Sequence, residues 1–156
     1  MTDAWSERAK LYRTSKAHSE GADLDLVVEW AAGTNTALDV ATGGGHVGRR
    51  LREAGLEVVT CDPSPGMAPD VICFAEDLPF ADGSFDLAVT RVAAHHFADV
   101  GQAARELARV SRERVIVVDT LYQGDDAARA RQLLADSISN GQLAMRRIAL
   151  RGGLAA

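Results

Sequence analysis

Ala37-Leu38-Asp39-Val40-Ala41-Thr42-Gly43-Gly44-Gly45-His46-Val47-Gly48 is the stretch whose reading decides the fold of this chain. An apolar strand runs straight into three glycines, and an amphipathic helix begins at once. Glycine tolerates positive φ and carries no Cβ, so the triplet lets the chain turn tightly while a ligand approaches bare main chain. The first amides of the helix have no intrahelical partner and point into the same gap. The next apolar run, Val58-Val59-Thr60-Cys61, closes on Asp62. In a βαβ unit, an acid at the tip of the second strand is placed to accept both hydroxyls of a ribose lying over the glycine turn. Together, turn and acid predict a nucleoside site.

Three ligand classes use such a turn. A phosphate loop needs Lys followed by Ser or Thr after the glycines, and none follows here. Gly43, Gly45 and Gly48 satisfy the Gly-x-Gly-x-x-Gly dinucleotide pattern, and Thr42-Gly43 is similar to the turn of short-chain dehydrogenases. Those enzymes add a catalytic Tyr-x-x-x-Lys. The one such pair here, Tyr12 and Lys16, lies ahead of the first strand, which argues against a nicotinamide-dependent reductase.

The third class fits best. Leu38-Asp39-Val40-Ala41-Thr42-Gly43-Gly44-Gly45 resembles the first motif of class I S-adenosylmethionine-dependent methyltransferases. Three later segments agree in order: Val59 to Met67 resembles the ribose-acid segment, Ala75-Glu76-Asp77-Leu78-Pro79-Phe80 through Asp86 the adenine-side loop, and His95-His96-Phe97 the turn after the fourth strand. The closest likeness is to the quinone-biosynthesis-like group of small-molecule methyltransferases, over roughly residues 1 to 122. The resemblance implies a Rossmann-like α/β fold, a mostly parallel sheet with flanking helices, and methyl transfer from S-adenosylmethionine to a small-molecule acceptor. A catalytically silent cofactor-binding or interaction domain is the alternative, and an NAD(P)-dependent reductase the third reading.

The 156 residues are 47% hydrophobic and 25% charged, with a formal charge of −5. One domain of that size buries roughly 70% of its unfolded surface, so residues 1–156 are read as a single unit. Nothing in the charge favours nucleic acid. Cys61 and Cys73 lack metal-ligand spacing and read as buried thiols, with no metal expected. No stretch of ~18 apolar residues suggests a membrane span, and a cytoplasmic location is the default expectation.

Helical spacing is expected over residues 4–16 and from Asp23 to Gly33, ahead of a core at 37–119. Strands are expected at Ala37–Ala41, from Val58, at Phe85–Arg91 and at Val115–Asp119, with helices at His46–Ala54 and Asp99–Ser111. Pro63, Pro65 and Pro69 disfavour a helix before Val71, so the second crossover should be a tight connection or a weak third strand at the sheet edge. Beyond Tyr122 the pattern suggests helix around Ala127–Ile138, a break at Ser139-Asn140-Gly141 and further helix to about Leu150. The usual terminal antiparallel strand pair is therefore expected to be missing. That would leave the fifth strand's edge open, to be covered by the terminal helix or by a second subunit in a homodimer.

For the cofactor, Asp62 and Pro63 are assigned to the ribose side, and Ala41, Thr42, Gly43 and Gly45 to the turn. Asp39, inside an apolar strand, must be hydrogen-bonded, either as a brace for the turn or to the ligand's ammonium. Phe74, Ala75 and Glu76 fall on the adenine side, where the resemblance commonly has an acid at the position of Phe74; a ring there could stack instead. Arg91 is expected to meet the methionyl carboxylate, an acidic substrate or a salt-bridge partner, and Tyr12 with Trp5 to form a lid or simply to pack. His46 reads as a first-turn surface residue. His95 and His96, at the carboxyl end of a strand, are candidates for a substrate-facing base.

Overall fold

The computed structural model describes residues 3–121, 132, 136 and 147–152. In chain order its regular elements are α1 (Ala4–Thr14), α2 (Lys16–Ser19), α3 (Ala22–Trp30), β1 (Thr36–Val40), α4 (His46–Glu53), β2 (Glu57–Asp62), β3 (Val71–Ile72), β4 (Phe85–Arg91), α5 (Val100–Val110), β5 (Ser111–Leu121) and β6 (Arg147–Gly152). They build one six-stranded sheet in the order β3-β2-β1-β4-β5-β6. Every recorded pairing is parallel, from Thr36 opposite Glu57 at one end of β1–β2 to Leu121 opposite Gly152 across β5–β6.

Alternation along the central strands sends side chains to both faces, and both are covered. Leu38, Val40, Ala88, Val115 and Val117 pack under α5 with Ala104 and Leu107. Ala37, Leu87, Val89, Ile116 and Val118 meet Leu24 and Val27 of α3 and Val47 and Leu51 of α4. Burying one such large side chain contributes about 1.5–3 kcal/mol. Burial on both faces also explains the continuous apolar runs Leu87-Ala88-Val89 in β4 and Val115-Ile116-Val117-Val118 in β5.

The order places the carboxyl ends of β1, β2 and β4 side by side. Between β1 and β4 the chain direction of the crossovers changes, the location where open α/β sheets bind ligands. The proline-rich segment after β2 forms only a short 3₁₀ turn, Pro65–Met67, and β3 is two residues long at the sheet edge. This is the shortened crossover read from the prolines.

The end of the chain departs from expectation. Residues 147–152 are not helix but a strand, and it pairs in parallel with β5. Ladder hydrogen bonds to an otherwise unpaired edge outweigh the modest helix preference of Arg147-Ile148-Ala149-Leu150. The open β5 edge that motivated a second subunit is thus covered, and the outer edge passes to β6. No antiparallel pair occurs among the described residues. Of the helix expected at Ala127–Ile138, only Gln132 and Asp136 are described, both helical, with the Gln132 amide donating to Asp136 at 2.7 Å; the break at 139–141 lies outside the described residues. No helix among them is long and apolar enough to cross a membrane.

Candidate functional site

A cleft of about 370 Å³ opens over the carboxyl ends of β1, β2 and β4. Its floor is made by Ala41 and Gly43 from the turn after β1 and by Asp62 at the tip of β2. Gly43 and Gly45 have φ of +52° and +78°, the left-handed region that glycine enters at no cost, and no atom lies within 4 Å of a Cβ built on either. Gly43 therefore presents main chain to the cleft. Gly45 does not line it; its N–H closes the turn on the Thr42 carbonyl at 3.0 Å and it precedes α4.

Asp62 is 6% exposed, accepts from the Gly43 N–H at 3.0 Å and the Ser64 N–H at 2.9 Å, and joins the floor to the next loop. Burial raises its carboxyl above the usual range, partly offset by those two amides. Asp39, 1% exposed, lies beneath: its Oδ2 accepts from Thr42 Oγ1 at 2.5 Å and from the Gly48 N–H at 2.9 Å. Burial pushes this carboxyl up to about 6, against the pull of the two donors. Asp39 is thus a brace holding both ends of the glycine turn. A Cβ at Gly48 would stand 2.8 Å from Thr60 Cγ2 and 3.3 Å from Asp39 Oδ2, so that glycine serves close helix–strand packing.

A smaller cavity beside the turn is lined by Asp39, Thr42, His46 and Arg91. Arg91, however, is already engaged: its Nε donates to Asp23 at 2.6 Å and a terminal nitrogen donates to the His18 carbonyl at 2.7 Å, with both charged side chains about 5% exposed. Of the roles considered for Arg91 the ion pair is the one realised, since a buried guanidinium needs a partner. His46 is buried, contrary to its reading as a surface residue. Its Nε2 donates to the Tyr12 carbonyl at 2.8 Å and its Nδ1 accepts from Arg49 at 2.9 Å. A Cβ at Gly44 would meet both that nitrogen and that carbonyl at 2.8 Å, so the middle glycine makes room for the bond.

Helix α1 forms the far wall. Asp3 caps it through the Trp5 and Ser6 amides and also accepts from Ser64 Oγ at 2.7 Å. Hydrogen bonds from Ser6 and Ser64 hold its carboxyl well below the usual range. Ser6 Oγ accepts from the Gly66 N–H at 2.8 Å, and Arg13 donates to the Gly66 carbonyl at 3.1 Å. The helix is thereby tied to the loop after Asp62, and Trp5 and Tyr12, rings 6.1 Å apart, face the cleft.

Phe74, Ala75 and Glu76 line another wall of the cleft, with Phe74 65% exposed. The loop behind them is clamped from α5. Glu106 accepts from the Leu78 N–H at 2.9 Å, and Arg109 donates to the carbonyls of Leu78 and Phe80 at 2.9 and 2.7 Å. Pro63 also lines the cleft and is exposed next to Asp62.

The two candidate bases separate. His96 lines the cleft and His95 is not among the lining residues. The His95 backbone N–H and ring Nδ1 donate to the two oxygens of Asp119 at 3.0 and 2.7 Å. The His96 ring lies between Trp5 at 4.8 Å and His95 at 3.9 Å. Partial burial, then the neighbouring His95, push the His96 imidazole below its usual value, so it is neutral near pH 7. Sequence reasoning missed Asp119, hidden as the last residue of an apolar strand run, and Asp3, whose cap position just before α1 was a legible signal. Val92, with φ +53° directly after β4, also lines the cleft and was not singled out.

A parallel sheet of this order, with a glycine turn after β1 and a buried acid ending β2, defines a class I methyltransferase-type domain. A model of the family described as "Methyltransferase domain" matches residues 38–118, just over half of the chain, and the chain belongs to that family. It is 34% identical over 134 residues to the uncharacterized methyltransferase YcgJ of Bacillus subtilis, covering 74% of this chain and 53% of that protein. The crystal structure of YcgJ superposes with a TM-score of 0.54 at 32% identity, over 58% of this chain and 46% of the other. A demethylmenaquinone methyltransferase of Beutenbergia cavernae is 35% identical over 94 residues, 53% of this chain and 39% of that protein. The chain spans about half the length of the curated relatives it matches or less.

Proposed function

We propose that this chain binds S-adenosylmethionine in the cleft over β1, β2 and β4 and transfers its methyl group to a small-molecule acceptor. The observation that carries the reading is Asp62 and Gly43 on one floor, a buried carboxylate ending β2 beside open main chain. The residues fit the group: the volume lies within the 300–1,000 Å³ of ordinary ligand sites, and nothing within 4 Å of a Gly43 Cβ crowds the approach. Asp62 would accept from the ribose hydroxyls, Phe74 would stack on the adenine, and the small cavity beside Thr42 would take the methionyl end. When bound, the cofactor supplies a methyl carbon made electrophilic by its sulfonium.

The protein's share is to hold the acceptor in line, exclude water and take a proton. Trp5, Tyr12 and Phe97 offer an apolar wall for the acceptor, and His96 is the group for the proton. Binding calorimetry tests the reading: S-adenosylmethionine and S-adenosylhomocysteine should bind, and Asp62→Ala should weaken both. Binding of a nicotinamide dinucleotide with no binding of either would refute it in favour of the reductase.

The second reading is a domain that binds the cofactor without turnover. Phe74, standing where the resemblance commonly has an acid, favours it, because one hydrogen bond to the adenine, worth about 0.5–1.5 kcal/mol net, is not available from that position. Methylated product from any small-molecule acceptor, abolished by Asp62→Ala, would exclude this reading.

A further inference from the structure

We infer that Asp119 is a positioning residue for proton removal: through His95 it locks the turn Ala94–His96, so that His96 stands as the base on the acceptor's side of the cleft. The inference rests on the methyl-transfer reading. It begins from the bonds at Asp119, which is 4% exposed at the carboxyl end of β5. One oxygen takes the backbone N–H of His95 and the other its ring Nδ1. An ionised carboxylate only accepts, so the Nδ1 carries the proton and the ring's tautomer is set.

That pair of bonds fixes the path of the turn and the plane of the first ring together. The ring of His96, the next residue, is tilted against that of His95 with centroids 3.9 Å apart, and it also contacts the Trp5 ring, centroids 4.8 Å apart. The sheet order then supplies the direction. The ribose acid ends β2, the glycine turn follows β1, and the turn bearing His96 follows β4 on the opposite side of β1. A cofactor laid from β2 to β1 leaves the β4 side for the acceptor, where Val92, Ala93 and Phe97 complete the wall.

The arrangement selects acceptors that must lose a proton, and among these we assign hydroxyls. The hydroxyl oxygen attacks the methyl carbon; the new C–O bond forms as the S–C bond breaks, the S–C electron pair returns to sulfur as a neutral thioether, and the hydroxyl proton passes to His96 and from there to water. The other charged groups on the cleft wall are Asp3, Asp62 and Glu76, and each already accepts a hydrogen bond, from Ser64, from the Gly43 N–H and from the Asp99 N–H.

The test compares acceptors that need a base with one that does not. Full-length protein is assayed with S-adenosylmethionine and phenol, 2-naphthol or benzyl alcohol, beside thiophenol, which is largely ionised near neutral pH without help. His96→Gln should lower kcat on hydroxyl probes by ~100-fold or more, the usual scale for a general base, and Asp119→Asn by ~10-fold, each loss falling mainly on kcat and far exceeding the loss on thiophenol. Raising the pH until 2-naphthol ionises should restore both variants on that probe. Equal loss on thiophenol and hydroxyl probes would make Asp119 merely structural and overturn the inference. So would unchanged hydroxyl rates in either variant, or no methylation of any hydroxyl probe by protein that binds S-adenosylhomocysteine. Failure to bind S-adenosylhomocysteine overturns the underlying reading instead.

Discussion

Replacing Asp39 by Asn should make the ligand-free protein more stable at neutral pH while weakening the cofactor site. Burial raises the Asp39 carboxyl from an ordinary 3.8 to about 6, and at 1.36 kcal/mol per pK unit the ionised form costs about 3 kcal/mol of folding free energy. The native state holds this proton more tightly than the unfolded chain between those two values. Wild-type stability therefore falls as pH rises from about 4 to 6, and levels above that. Asn is nearly isosteric, and its Oδ1 can still accept from Thr42 and the Gly48 N–H, but it does not titrate. The stability difference between variant and wild type should thus grow by roughly 2–3 kcal/mol in the variant's favour between pH 4 and 7.5. Urea denaturation followed by Trp5 and Trp30 fluorescence measures it, since other titrating groups cancel in the difference. A difference flat across that range, or one moving against Asn, would refute the account of Asp39 as a carboxylate held at a cost. Calorimetry on the same variant should show weaker binding of S-adenosylmethionine, because a neutral amide grips the Thr42 hydroxyl and the Gly48 N–H less tightly than a carboxylate and the glycine turn loosens.

Asp62→Ala should weaken S-adenosylhomocysteine ~10- to 100-fold by calorimetry, because it removes the ribose acceptor and frees the Gly43 and Ser64 amides. Gly48→Ala should cost ~1–3 kcal/mol in urea denaturation, because its Cβ meets Thr60 Cγ2 at 2.8 Å. Adding Thr60→Ser, which keeps the hydroxyl bonded to Asp70, should recover part of that loss in a double-mutant cycle. Asp86 accepts from Asn35 and Thr36 amides and from Arg112, which, with the two amides, holds its carboxyl down at about 2. Asp86→Ala should destabilise by ~2–3 kcal/mol at pH 7, and the penalty should shrink as the wild-type carboxyl is protonated between pH 4 and 2.

The first five strands were legible because each carries its own signal. Leu87-Ala88-Val89 and Val115-Ile116-Val117-Val118 are apolar throughout since both faces are buried, and the glycines mark where β1 must stop. Asp39 and Asp62 were legible for the same reason: an acid inside or at the end of an apolar strand has to be satisfied by something. What stayed hidden depends on contacts far apart in sequence. His46 looks like a surface residue until the Tyr12 carbonyl, thirty-four positions earlier, closes on it. Arg91 looks available until α3 brings Asp23 to it. Between His95 and His96, adjacency gave no choice; only Asp119, from the next strand, turns one inward and leaves the other to the cleft. Residues 147–152 misled because Arg, Ala and Leu are good helix formers, and the unpaired edge that recruits them is a property of the sheet.

Ala41 and Val92 follow the carboxyl ends of β1 and β4 with φ of +56° and +53°, a conformation that costs a non-glycine residue about 1–3 kcal/mol. Directed evolution for heat resistance, run on ligand-free protein, would therefore find its easiest gains at these two positions. Glycine or asparagine there would relax the backbone and leave the cleft wall less sharply defined. Variants ranked by melting temperature and by ligand affinity should run in opposite order along this rim, and thermostabilised libraries should be counter-selected on binding before any are carried forward.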